Sequence, residues 1–169
     1  MKKSLLIVAF IATVFSYQSF GQDSTKSISS TLLSSYYGIK DALVKTNGSA
    51  AAENAATLLV AINSINMTKL SAEEHTVWMK VSKNLQFNAQ HIQENKNPEH
   101  QREHFIALSS NMYELIKVLK PAETVYYQYC PMANDGKGAN WLSSQSVIKN
   151  PYYGSSMLSC GKTVEIINQ

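Results

Sequence analysis

Apolar residues return every three or four positions through four successive stretches of the chain, and each stretch is bounded by residues that start or stop a helix. Ile28, Leu32, Leu33, Tyr36, Ile39 and Leu43 make the first stripe, closed by Asn47-Gly48. The second segment, Ser49 to Ile65, is alanine-rich, which suits a helix that lies close against a neighbour. Ser71 and Glu74 have the spacing of a capping box, in which hydroxyl and carboxylate satisfy exposed amides at a helix start. Behind them Trp78, Val81, Leu85, Ala89 and Ile92 line one face. Asn97-Pro98 opens the fourth helix, since proline at the first helical position gives up no hydrogen bond. Its stripe, Phe105, Leu108, Met112, Leu115 and Leu119, ends before Pro121. Four helices of about 17 to 25 residues with short connections predict an up-down-up-down four-helix bundle.

After Pro121 the texture changes. Residues 124–129 are β-branched and aromatic, residues 162–167 alternate less cleanly, and Gly136, Gly138, Pro151 and Gly154 lie between. The expected fold is therefore mainly α, with a small irregular C-terminal cap over 122–169 containing one or two short β-strands. A cap this small does not fold alone without a staple, so 28–169 reads as one domain. The polar residues 22–27 carry no stripe and are expected to be disordered.

Upstream, Lys2 and Lys3 precede an apolar run from Leu5 to Phe15, and Ser19-Phe20-Gly21 supplies small residues at the positions a signal peptidase inspects. Residues 1–21 thus read as a secretory signal peptide, with no cysteine behind it for a lipid anchor and a periplasmic or secreted destination. The run is too short to span a bilayer well, and no later stretch approaches the roughly 20 apolar residues of a membrane helix, so no membrane insertion is expected after signal removal. The formal charge of +3 shrinks when Lys2 and Lys3 go, leaving thirteen basic residues against twelve acidic ones. With no basic face, nucleic acid is not an expected partner.

The tail holds the candidate chemistry. The only two cysteines each have a methionine nearby, in Cys130-Pro131-Met132 and Met157-Leu158-Ser159-Cys160. If the segment folds back on itself, two thiolates and two thioethers form a soft donor set suited to Cu(I) or Ag(I). Zinc prefers histidine to methionine, so the set argues against a structural zinc site. In an oxidising compartment the same cysteines can instead form a disulfide, with the methionines filling gaps. Closing that loop of about 30 residues would contribute roughly 3 to 4 kcal/mol.

Trp141 can lie over a bound ion, but it and tyrosines 126, 127, 129, 152 and 153 are more simply the core of a small cap. His100 and His104 share a helix face at a chelating spacing, although their charged neighbours suit a hydrated surface. His104 is a possible further ligand if the cap docks on that helix. His75 and His91 have no partner at ligand spacing and read as structural. Catalysis finds no support: no nucleophile elbow surrounds a serine, the cysteines are not in Cys-x-x-Cys, and Asp135-Gly136-Lys137-Gly138 is too short for a phosphate loop and reads as a turn.

The tail YYQYCPMANDGKGANWLSSQSVIKNPYYGSSMLSCGKTVEI resembles the C-terminal signature of an exported domain-of-unknown-function family, found alone or fused to periplasmic adaptor subunits of heavy-metal efflux pumps. The likeness extends over about residues 30–167. It implies copper or silver handling, and the family's Cys-Pro-Met and Met-x-x-Cys-Gly elements fall on Cys130, Met132, Met157, Cys160 and Gly161. The expectation is a Cu(I)/Ag(I) carrier or sequestering protein whose partner is an efflux adaptor or another periplasmic metal carrier. The alternative is an interaction module in which Cys130 and Cys160 only staple the cap.

Overall fold

A computed structural model describes residues 20–168, so the expected signal peptide lies outside the described residues except for Phe20 and Gly21. The four expected helices are present: α1 (Phe20–Val44), α2 (Gly48–Asn63), α3 (Ala72–Glu94) and α4 (Pro98–Leu119). Their starts use the signals in the sequence. The Asn47 side chain accepts from the Ala50 amide, the Asn97 side chain accepts from the Glu99 amide, and Ser71 and Glu74 close a reciprocal capping box. Lys120 ends α4 in the left-handed conformation.

α1 starts well before Ile28, so residues 22–27 are helical and not disordered. Nothing in that segment breaks a helix, and once a helix is nucleated on a packed stripe each added residue gains a backbone bond at little cost. Ser29 and Thr31 also fold their hydroxyls back onto the Lys26 and Ser27 carbonyls, 2.9 and 3.0 Å away.

Each helix packs against the next in sequence, and α4 returns to α1, closing the bundle. Every apolar stripe residue named above is buried except Ile28, which is partly covered. Ala51, Ala55 and Ala61 present small side chains inward, and Gly38 of α1 lies against Asn54 of α2, so the alanine-rich helix does sit close to its neighbour.

The cap holds three strands, one more than the upper expectation. β1 (Val125–Cys130), β2 (Ala139–Ser143) and β3 (Lys162–Ile167) form an antiparallel sheet in the order β2-β1-β3. The additional strand, β2, has only five residues and no alternation of its own; pairing with β1, from Cys130 opposite Ala139 to Tyr126 opposite Ser143, makes it a strand. The Asp135–Gly138 turn lies in the β1–β2 connection, as its composition indicated.

β2 seats the sheet on α4, and one hydroxyl marks the junction. The Tyr36 oxygen of α1 lies 2.6 Å from Ser109 Oγ of α4 and accepts from the Leu142 amide of β2 at 3.1 Å. Arg102 ties the loops in from below, donating to the Pro151 carbonyl at 2.9 Å and to the Leu43 carbonyl at 3.1 Å. On the other side Tyr113 stacks on Tyr127 at 3.9 Å, and its hydroxyl donates to Glu165 of β3. Val125, Cys130, Trp141 and Leu142 belong to the same core as the helices, so cap and bundle fold as one unit. Among the described residues no helix is long and apolar enough to cross a membrane.

Candidate functional site

Strand pairing brings the two cysteines together. Cys130 ends β1 and Cys160 precedes β3, and with Tyr129 opposite Lys162 both fall at one end of the sheet. Their sulfurs lie 2.9 Å apart, both as free thiols. Cys130 is wholly buried, whereas Cys160 is partly open to solvent. Asn150 pins the loop that carries Cys160: its Nδ2 donates to the Cys160 carbonyl at 2.9 Å, and its Oδ1 accepts from the Tyr152 amide at 2.8 Å. The hydrogen bond with Cys130, burial, and the repulsion a charged Cys130 would exert push the Cys160 thiol up, while the Met132 amide opposes them.

Gly161 makes this approach possible. Its φ of +142° is poorly tolerated by other residues, and a Cβ there would lie 2.8 Å from the Tyr129 carbonyl oxygen and 2.9 Å from the Trp141 ring. Trp141 thus lies directly against the residue after Cys160, fully buried, with Tyr152 edge-on at 6.0 Å and its indole N–H without a partner. Met132 and Met157 join through their backbones: Tyr153 donates to the Met132 carbonyl at 2.6 Å, and the Cys160 amide donates to the Met157 carbonyl at 3.1 Å. Both methionines are exposed, 50% and 39% respectively.

His104 turns away from this cluster. Its Nδ1 lies 3.0 Å from Asn88 Oδ1, and its ring stacks on His91 of α3 at 4.3 Å. His100 completes a group of three whose ligand nitrogens all lie within 4.8 Å of one another. His91, set aside in the sequence as having no partner at ligand spacing, is the member that α3 supplies. Burial, with His91 and His100 beside it, holds the His104 imidazole below its usual value and favours the neutral ring. Phe87 leans on the group, with its ring centre 4.4 Å from that of His91 and 5.9 Å from that of His104.

The family described as "Protein of unknown function (DUF3347)" matches residues 32–124, more than half of the chain, and this protein belongs to it. The match takes in the C-terminal half of α1 and all of α2 to α4 and stops just before β1, so the histidines lie inside it and the cysteines beyond it. No curated protein and no solved structure matches the chain.

Proposed function

We propose that this is an exported, non-enzymatic protein that captures Cu(I) or Ag(I) on Cys130 and Cys160, with Met132 and Met157 as supplementary thioether donors. It works in the periplasm or outside the cell as a carrier or sequestering protein linked to heavy-metal efflux. The observation that carries this reading is the meeting of two free thiols, thirty residues apart in sequence, at 2.9 Å, each with an exposed methionine two or three residues away along the chain. All four donors are sulfur, and two of them are thioethers, which Cu(I) accepts and zinc, a metal of thiolate and imidazole, does not favour.

The fit requires a small movement. Metal–sulfur bonds of about 2.3 Å in a tetrahedral shell set the sulfurs about 3.8 Å apart, so the pair must open by about 1 Å. Cys130 is fixed at a strand end, and the partly exposed Cys160 loop is the side that moves. The exposed thioethers give the ion a way out by ligand exchange, which suits a carrier. The resemblance of the tail to proteins fused to efflux adaptors supports such an adaptor, or another periplasmic metal carrier, as the partner. Neither nucleic acid nor membrane insertion belongs to this reading.

The same proximity favours a second reading. Two thiols already in contact are within reach of oxidation, and an exported protein with a Cys130–Cys160 disulfide would be an interaction module with a stapled cap. Anaerobic Cu(I) titration against a chromophoric chelator, with free thiols counted in the same preparation, separates the two. Stoichiometric binding that disappears in the Cys130→Ser/Cys160→Ser variant supports the carrier. No competition for Cu(I), together with no free thiols, overturns it in favour of the module.

A further inference from the structure

We infer that His91, His100 and His104 form a second site, built from nitrogen donors at the α3–α4 seam, that takes a divalent cation of the Zn(II) or Cu(II) class. It stands independently of the sulfur pair. His100 and His104 lie one turn apart on α4, and His91 faces them from α3. Tetrahedral coordination with metal–nitrogen bonds of about 2.0 to 2.1 Å sets ligand nitrogens about 3.4 Å apart. From separations within 4.8 Å, closure is a matter of side-chain rotation, and all three rings are partly exposed and have room to turn. The stacked His91 and His104 rings, 10° from parallel, splay as they converge on the ion.

The surroundings of His104 are those of a prepared ligand. Asn88 is buried, and its Nδ2 donates to the Asn84 carbonyl at 2.8 Å, which leaves its Oδ1 as the acceptor facing His104. The proton therefore sits on His104 Nδ1, and the lone pair is on Nε2. Metal-binding histidines are commonly oriented by an outer hydrogen bond of this type. Glu103 Oε2 stands 3.7 Å from His100 Nδ1, beyond hydrogen-bond reach, so Asn88 is the outer partner the geometry supplies. Phe87, 55% exposed, lies against the imidazoles and shields one side from water. Imidazole suits Zn(II) and Cu(II), whereas Cu(I) goes to thiolate and thioether. Three protein ligands leave a fourth position for water or a donor from a partner, as in sites that exchange their contents.

The test is Zn(II) titration of the full chain carrying Cys130→Ser/Cys160→Ser, followed by NMR of the imidazole nitrogens. The expected result is saturation at one equivalent, with the His91, His100 and His104 signals shifting together while His75 stays fixed. His104→Ala is expected to weaken binding at least tenfold. Asn88→Ala is expected to weaken it about 10- to 100-fold, and Asn88→Asp, which keeps the acceptor, to restore it. The inference is overturned if the three imidazoles do not respond, if affinity is unchanged in His91→Ala and His104→Ala, or if Zn(II) binds only when both cysteines are intact.

Discussion

The Tyr36 hydroxyl belongs to three elements at once, because α1 carries it, Ser109 of α4 bonds it and the Leu142 amide of β2 donates to it. Burial pushes its ionisation far above the usual phenol range, so it remains a neutral hydrogen-bonding group. Tyr36→Phe would leave a buried amide unsatisfied, and the expected loss is about 1–3 kcal/mol in urea unfolding. Gly161→Ala is expected to destabilise by about 1–3 kcal/mol through backbone strain, and to speed thiol labelling by pushing Cys160 away from Cys130. Unchanged labelling would mean that the cysteines meet without help from this glycine. The cysteines stood out in the sequence because two short motifs in one small cap gave them few other places to meet. His91 did not, since its partners lie on another helix. A signal was nevertheless present: His91 and His100 fall five and four residues to either side of Lys96, and Asn88 and His104 eight, as residues facing across an antiparallel hairpin do.

At the scale of elements, the helices were legible because caps and stripes agree, and local chemistry decides both. The N-terminal reach of α1 and the existence of β2 were not, since one depends on propagation from packed residues and the other on pairing. A second tie between α4 and the sheet has a pH dependence. Tyr113 donates to Glu165 and Lys117 lies 3.1 Å from the same carboxylate; these contacts hold Glu165 below the usual carboxylate range, against a smaller opposing effect of burial. A depressed carboxylate stabilises the fold above its unfolded pKa, and the contribution fades as pH falls through the folded one. Glu165→Gln should therefore be less stable than the native chain near pH 7, and the two should converge only as pH falls below the ordinary carboxylate range and through the depressed folded-state pKa. Because the group is partly exposed, the gap is small. A gap that stayed constant with pH would assign it to packing instead.

For the whole molecule, cap and bundle share one core, and the covered face of α1 and α4 includes Tyr36 and Phe105, stacked at 5.1 Å. Removing residues 122–169 is expected to expose that face, lower the Tm by more than 10 °C and increase binding of a hydrophobic dye, rather than release an intact bundle. A cap built into the core also explains how strand pairing, and not a local Cys-x-x-Cys turn, sets the spacing of the sulfurs. The two candidate centres then divide by chemistry, sulfur at the end of the sheet and nitrogen at the helical seam. The most direct test of the sulfur centre is X-ray absorption at the copper edge of the native chain loaded with one equivalent of Cu(I) under reducing conditions. The account predicts a coordination sphere of sulfur alone, two to four atoms. A sphere of nitrogen or oxygen would contradict it.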